Sequence, residues 1–122
     1  YTICEGFNSK KDFEIMLNNF IKNNFIPKIK IDGVFAVTDK YALNFIKKIK
    51  NLKINIPDDV QIIGFDGSKS SIEDDFKIST IRQPVELIAK ESVKILLKII
   101  ESKKVEKEVI LPIKFIKGYT TK

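Results

Sequence analysis

The chain has 122 residues, a formal net charge of +6, 43% apolar residues and 31% charged ones, which fits one ordinary globular domain. Histidine is absent, so Ser-His-Asp and Cys-His catalysis and the usual zinc ligand sets are excluded. Cys4 stands alone, so no internal disulfide forms, and no apolar run approaches the roughly 20 residues of a membrane helix.

The basic residues are lysines spread over every segment, with Arg82 the single arginine. Base readers and phosphate clamps favour the arginine fork, so this charge reads as a solvated surface and direct nucleic-acid contact by this stretch is not expected. Both the lone cysteine and the missing histidine agree with a reducing, cytoplasmic setting. The first residue is not Met, no signal-peptide pattern is present, and Tyr1-Thr2-Ile3-Cys4 already looks like the inside of a strand. The chain therefore reads as a piece of a longer protein.

Residues 1–5 read as a short strand, and Glu5-Gly6-Phe7-Asn8 as the loop leaving it. Ser9, with Asp12 three residues on, is close to a capping box. A helix follows to about Asn24, with Phe13, Met16, Leu17, Phe20 and Ile21 on one stripe. Phe7 is open to two readings: a hydrophobic staple on the first helical turn, or a ring at a strand's carboxyl end that stacks on a ligand.

Pro27 ends this unit. Asp32-Gly33 leads into a second buried strand, Val34-Phe35-Ala36-Val37. Thr38-Asp39 stops it and a helix begins at once, so either residue can cap that helix by accepting from backbone N–H groups. From Lys40 to about Leu52 the helix buries Ala42, Phe45, Ile46 and Ile49. Leu43 falls off that stripe, on a face with Lys47 and Lys50. Pro57-Asp58-Asp59 then precedes Val60, Ile62, Ile63 and Phe65, an apolar run of the kind found in the middle of a parallel sheet. Such sheets bind ligands outside the carboxyl ends of their strands. Asp66 sits at that end, either aimed into a crevice or serving a turn with Gly67.

Residues 67–77 form a polar loop whose Glu73-Asp74-Asp75 lacks the alternation of a Ca²⁺ loop; no metal site is expected. Residues 78–83 read as a strand stopped by Pro84, which suits a helix start. The helix over residues 85–102 is apolar around more than half its circumference and wants neighbours on several sides. Residues 109–111 read as another strand, interrupted by Pro112 and continued at 113–117 in an edge position. Strands alternating with helices predict an α/β fold with a mostly parallel sheet. There is no G-x-G-x-x-G, Walker A or G-x-S-x-G sequence, so no enzyme and no bound cofactor are expected.

Ile56-Pro57-Asp58-Asp59-Val60-Gln61-Ile62-Ile63-Gly64-Phe65-Asp66, with Thr38-Asp39-Lys40-Tyr41-Ala42-Leu43 upstream and Ser79-Thr80-Ile81-Arg82-Gln83-Pro84-Val85 downstream, resembles the LacI/GalR family of bacterial transcription regulators. The likeness is to the C-terminal part of their effector-binding region and runs from Ile31 to Thr121, more loosely over the first thirty or so residues. It implies a type I periplasmic-binding-protein-like fold, of which this chain holds a fragment. Residues 1–83 would belong to the C-terminal effector-binding lobe, 84–112 to a crossover helix and strand of the other lobe, and 113–122 to the closing segment.

The resemblance also implies a small-molecule effector in the cleft, held by Asp66, Phe7 and Thr38, with Asp39 fixing the junction. It implies a homodimer in which Leu43, Lys47 and Asp74 lie at the interface, and operator DNA bound only through an N-terminal domain absent from this chain. Gly67 stands where relatives often carry Asp or Asn, and Thr38 where Asn is commoner. The effector class is therefore open among sugars, sugar phosphates and nucleobases. An exported sugar-binding transport receptor of the same fold is the alternative, and an enzyme subdomain of flavodoxin-like or Rossmann-like form a third.

Overall fold

The computed structural model describes residues 9–28, 31–68 and 77–122. Helix α1 (Lys10–Phe25) begins at Ser9, whose hydroxyl accepts from the Asp12 amide and donates to the Asp12 carboxylate. Phe13, Leu17, Ile21 and Phe25 are buried along one row, the four-residue spacing that keeps side chains on one helix face. Helix α2 (Asp39–Ile49) buries Ala42, Phe45, Ile46 and Ile49 and runs into a short 3-10 turn, Lys50–Leu52. The two helices meet through rings. Phe13 stacks on Tyr41 at 4.7 Å, and Phe45 lies 5.6 Å from Phe25 and 6.0 Å from Phe20, separations at which aromatic pairs add to area burial.

Both helices share one core with Val60, Ile62 and Ile78. Ile62 belongs to β2 (Gln61–Asp66), which lies between β1 (Gly33–Phe35) and β3 (Ser79–Arg82), all parallel; β4 (Lys114–Ile116) adds antiparallel to β3. β3 starts level with Ile63 and so leaves the first residues of β2 without a partner on that side. The tail fills that place. Thr120 accepts from the Ile62 amide through its carbonyl, donates its hydroxyl to the Ile62 carbonyl, and accepts from the Ser79 amide. Thr120 is fully buried, and Gly118 passes so close to Lys77 and Ile78 that a Cβ would collide with backbone.

Three sequence expectations change. Val34-Phe35-Ala36-Val37 is not a buried strand: β1 is an edge of the described sheet, and Phe35 and Val37 are 62% and 63% exposed. Phe35 meets Phe65 edge-on at 6.4 Å on the sheet face away from α2. Residues 109–111 form no strand, because no ladder partner lies beside them among the described residues. Leu43 is half-buried at the rim of the core; the helix turns far enough toward α1 and the sheet to take it partly in.

Asp39 opens α2 and is 1% exposed. A buried carboxylate needs donors aimed at it. Oδ2 accepts from the Ser68 amide at 2.7 Å and Oδ1 from the Thr80 hydroxyl at 2.5 Å, while that hydroxyl oxygen accepts from the Gly67 amide at 3.3 Å. One side chain thus joins the start of α2, the exit of β2 and the middle of β3. Gly64 makes the room: a Cβ there would lie 2.4 Å from Asp39 Oδ1 and 3.1 Å from Ile78 Cδ1.

Helix α3 (Val85–Ile100) has no buried residue; Val93, Leu96 and Leu97 are more than half exposed. Large apolar groups left in water forgo about 1.5–3 kcal/mol each, and a contiguous patch of them marks a surface that another body covers. Residues 1–122 produced alone should therefore self-associate. Sedimentation velocity would show mass rising with concentration, and Val93→Lys with Leu97→Lys would return the chain toward monomer.

The second expectation concerns Gly64. Gly→Ala gains about 0.4–1 kcal/mol where the backbone tolerates it, but overpacking costs about 1–3 kcal/mol, so Gly64→Ala should be net destabilising in urea melts. In an Asp39→Ala background the same change should cost at least about 0.5 kcal/mol less, since contacting residues couple. Equal costs in both backgrounds would separate Gly64 from the carboxylate.

Candidate functional site

The carboxyl ends of β1 and β2 and the middle of β3 meet around the Asp39 carboxylate. Thr38, the residue before Asp39, is the N-cap of α2; its hydroxyl oxygen accepts from the Tyr41 amide at 3.3 Å. The cap position is therefore held by Thr38, and Asp39 turns inward to bind Ser68 and Thr80. Asp66 ends β2 two residues before Ser68, so the Asp39–Ser68 bond brings the Thr38 and Asp66 segments to the same end of the sheet.

The backbone at Asp66 is unusual. Its φ is 120° and that of Gly67 is 68°. A non-glycine residue in that region costs on the order of 1–3 kcal/mol and persists where the surroundings impose it. Two hydrogen bonds from one residue do so. The Gln83 amide donates to the Asp66 carbonyl at 3.2 Å, and Gln83 Nε2 donates to Asp66 Oδ1 at 2.9 Å. The other oxygen, Oδ2, accepts no hydrogen bond among the described residues. Asp66 is half-buried, so Oδ2 is an acceptor held in a fixed direction at a strand end.

Gly67 lies against Arg82. A Cβ there would sit 2.6 Å from the Arg82 Cβ and Cγ. The missing side chain at this position thus has a steric cause beside its positive φ. Arg82 and Lys114 are register neighbours at this end of the sheet.

Of the residues picked from sequence, Asp66, Thr38 and Asp39 converge on one end of the sheet. Leu43 and Lys47 lie away from it on α2, half-buried and exposed respectively. Phe7 and Asp74 lie outside the described residues. In sequence Gln83 is only the last residue of the 78–83 strand; its contact with Asp66 spans 17 residues of chain, and the Asp66↔Arg82 register brings it about. No cluster of three metal-ligating side chains occurs among the described residues.

Similar proteins define the family. The periplasmic binding protein-like domain profile matches residues 3–121. The sucrose operon repressor of Streptococcus mutans is 38% identical over 90 residues, covering 73% of this chain and 28% of the repressor. A LacI family transcriptional regulator from Enterococcus faecium, solved with bound ribose, is 28% identical with a TM-score of 0.72, covering 93% of this chain and 40% of that one. A periplasmic binding protein/LacI transcriptional regulator from Alkaliphilus metalliredigens, complexed with D-xylulofuranose, is 33% identical with a TM-score of 0.66, covering 96% of this chain and 39% of that one. The chain thus spans little more than a quarter of the curated repressor it matches. With the strand order, the matched profile and these relatives in agreement, the chain belongs to the periplasmic binding protein-like domain family, as the C-terminal part of a LacI/GalR-type effector-binding region.

Proposed function

We propose that this chain binds a small polyhydroxylated effector, a sugar, within a DNA-binding transcriptional regulator. The observation that carries the reading is Asp66, a carboxylate fixed at the carboxyl end of the central strand with Oδ2 unengaged among the described residues. Ionised carboxylate oxygens only accept, which suits ligand hydroxyls. Thr38 adds a hydroxyl whose hydrogen remains available, since its oxygen is the acceptor in the cap. Phe7 would stack on the ligand's apolar face. The neighbours that hold ribose and D-xylulofuranose support a furanose or similar polyol. Repressor relatives favour a regulator over an exported transport receptor, and a regulator of that kind would work in the cytoplasm, where operator DNA is.

Binding, not turnover, is the activity in this reading, and it requires no cofactor or metal. Operator contact belongs to an N-terminal domain outside this chain. Effector binding favours one arrangement of the two lobes and so changes the DNA-binding heads by population shift. Leu43 and Lys47 on α2, with Asp74, would face a second protomer.

Two experiments on the full-length protein test this. In a thermal-shift panel of sugars, sugar phosphates and nucleobases, a sugar should raise the melting point, with about 2.7 kcal/mol of stabilisation when ligand reaches a hundred times Kd. Asp66→Ala should weaken that ligand at least about tenfold, the scale of one hydrogen bond to a charged group. A shift that survives the substitution would move the site elsewhere. For the dimer, Leu43→Glu and Lys47→Glu should each raise the dissociation constant, read by sedimentation equilibrium, at least about fivefold if α2 lies in the interface.

A further inference from the structure

Helix α3 is joined to β3 by two residues, Gln83 and Pro84, and none of its own residues is buried. Core packing therefore does little to set its direction, and the hydrogen bonds of the link act beside the flanking segment that lines a cavity with Ile88 and Ile95. Four such bonds are present. Val85 N–H donates to the Gln83 carbonyl at 3.0 Å and Ile88 N–H to the Pro84 carbonyl at 2.9 Å, both within the link and the first turn. The other two run from Gln83 to Asp66, one from its backbone amide and one from its side chain. Pro84 has no N–H, and α3 has no side-chain N-cap bond. Among the described residues, the hydrogen bonds that fasten the start of α3 to the sheet at this link thus end on Asp66.

We infer that Gln83 is a positioning residue that latches the start of α3 to the effector-binding carboxylate, so that the state of Asp66 sets the direction in which α3 leaves the sheet. The inference rests on the reading of Asp66 as the ligand acceptor. Gln83 Nε2 holds Oδ1 and leaves Oδ2 for ligand. A ligand hydroxyl donating to Oδ2 draws charge from the carboxylate, and one that takes Oδ1 displaces Nε2; either changes the latch. Asp66 holds a positive φ that a non-glycine residue rarely adopts, so loss of the clamp would let its backbone relax and move the link with it.

Donor and acceptor can be exchanged. Asp66→Asn with Gln83→Glu puts the amide on residue 66 and the carboxylate on residue 83, and so rebuilds the side-chain bond in reverse. The measurement is amide hydrogen exchange by mass spectrometry on the full-length protein without ligand, comparing a peptide over residues 83–92 with one over α2. Gln83→Leu should speed exchange in 83–92 about tenfold or more, the effect of losing one charged hydrogen bond, and leave α2 within about twofold. Gln83→Glu, which sets two carboxylates together, should be at least as fast, and the exchanged pair should return to near the wild-type rate.

Unchanged exchange in Gln83→Leu, or an exchanged pair as fast as the single variant, would overturn the latch. Faster exchange in α2 as well would make Gln83 a general stability residue and also overturn it. D-ribose is added in a parallel arm. No thermal shift with ribose or the rest of the sugar panel counts against the sugar-binding reading alone, while the ligand-free exchange rates still decide the latch.

Discussion

The Asp39 carboxylate is the fixed point of the molecule. Its burial imposes a requirement for donors, and distant segments help to meet it. Two of the donors come from Ser68 and Thr80, 29 and 41 residues along the chain. Taking a charge from water is costly, and only good geometry with several donors repays it. The arrangement is accordingly selective: α2 can start, β2 can end and β3 can pair in one relative placement. Gly64, with no side chain, sets how close β2 approaches that carboxylate. Asp66 inherits its position from this knot, being two residues upstream of the Ser68 amide.

That dependence explains what could be read from the chain and what could not. The stripes of α1 and α2 and the apolar run of β2 are periodic, and periodicity reports burial directly. Ser9 with Asp12, and Thr38 before a helix, are local capping patterns and are found where local rules put them. Thr120 is different. Nothing in Gly118-Tyr119-Thr120 announces a hydroxyl that bonds the Ile62 carbonyl 58 residues away. The same holds for Gln83 and for the true partners of Asp39. These polar contacts are set by which strand ends arrive together, and sequence spacing carries no trace of that. Phe35 and Val37 mislead for the opposite reason, since an apolar strand reads as buried whether or not something covers its second face.

The two parts of the chain are held by different forces. Helices α1 and α2, strands β1 to β3 and the tail close a core of helix, sheet and buried threonine hydroxyls. In α3 the apolar side chains face outward, and residues 103–113 run beside it without a ladder. An element held by packing resists reorientation, because close-packed side chains offer few alternative fits. An element held at its start by hydrogen bonds to one residue does not resist in this way. On the latch reading, this asymmetry would let α3 change direction at Gln83-Pro84, beside the residue that would meet ligand.

Selectivity follows from how few polar groups remain at that end of the sheet. The stem of Arg82 fills the space beside Gly67, so a second acceptor next to Asp66 could not be added by substitution at 67 without moving the arginine. The Thr38 oxygen is engaged by the Tyr41 amide, which leaves its hydrogen as the group's remaining contribution. Asp66 Oδ2 can only accept. A ligand meeting both must therefore donate to one and accept from the other, which a hydroxyl or a pair of neighbouring hydroxyls does and a purely apolar or purely donating molecule does not. In the proposed site, one fixed acceptor paired with one rotatable donor suits a ligand group that both donates and accepts, as neighbouring hydroxyls do.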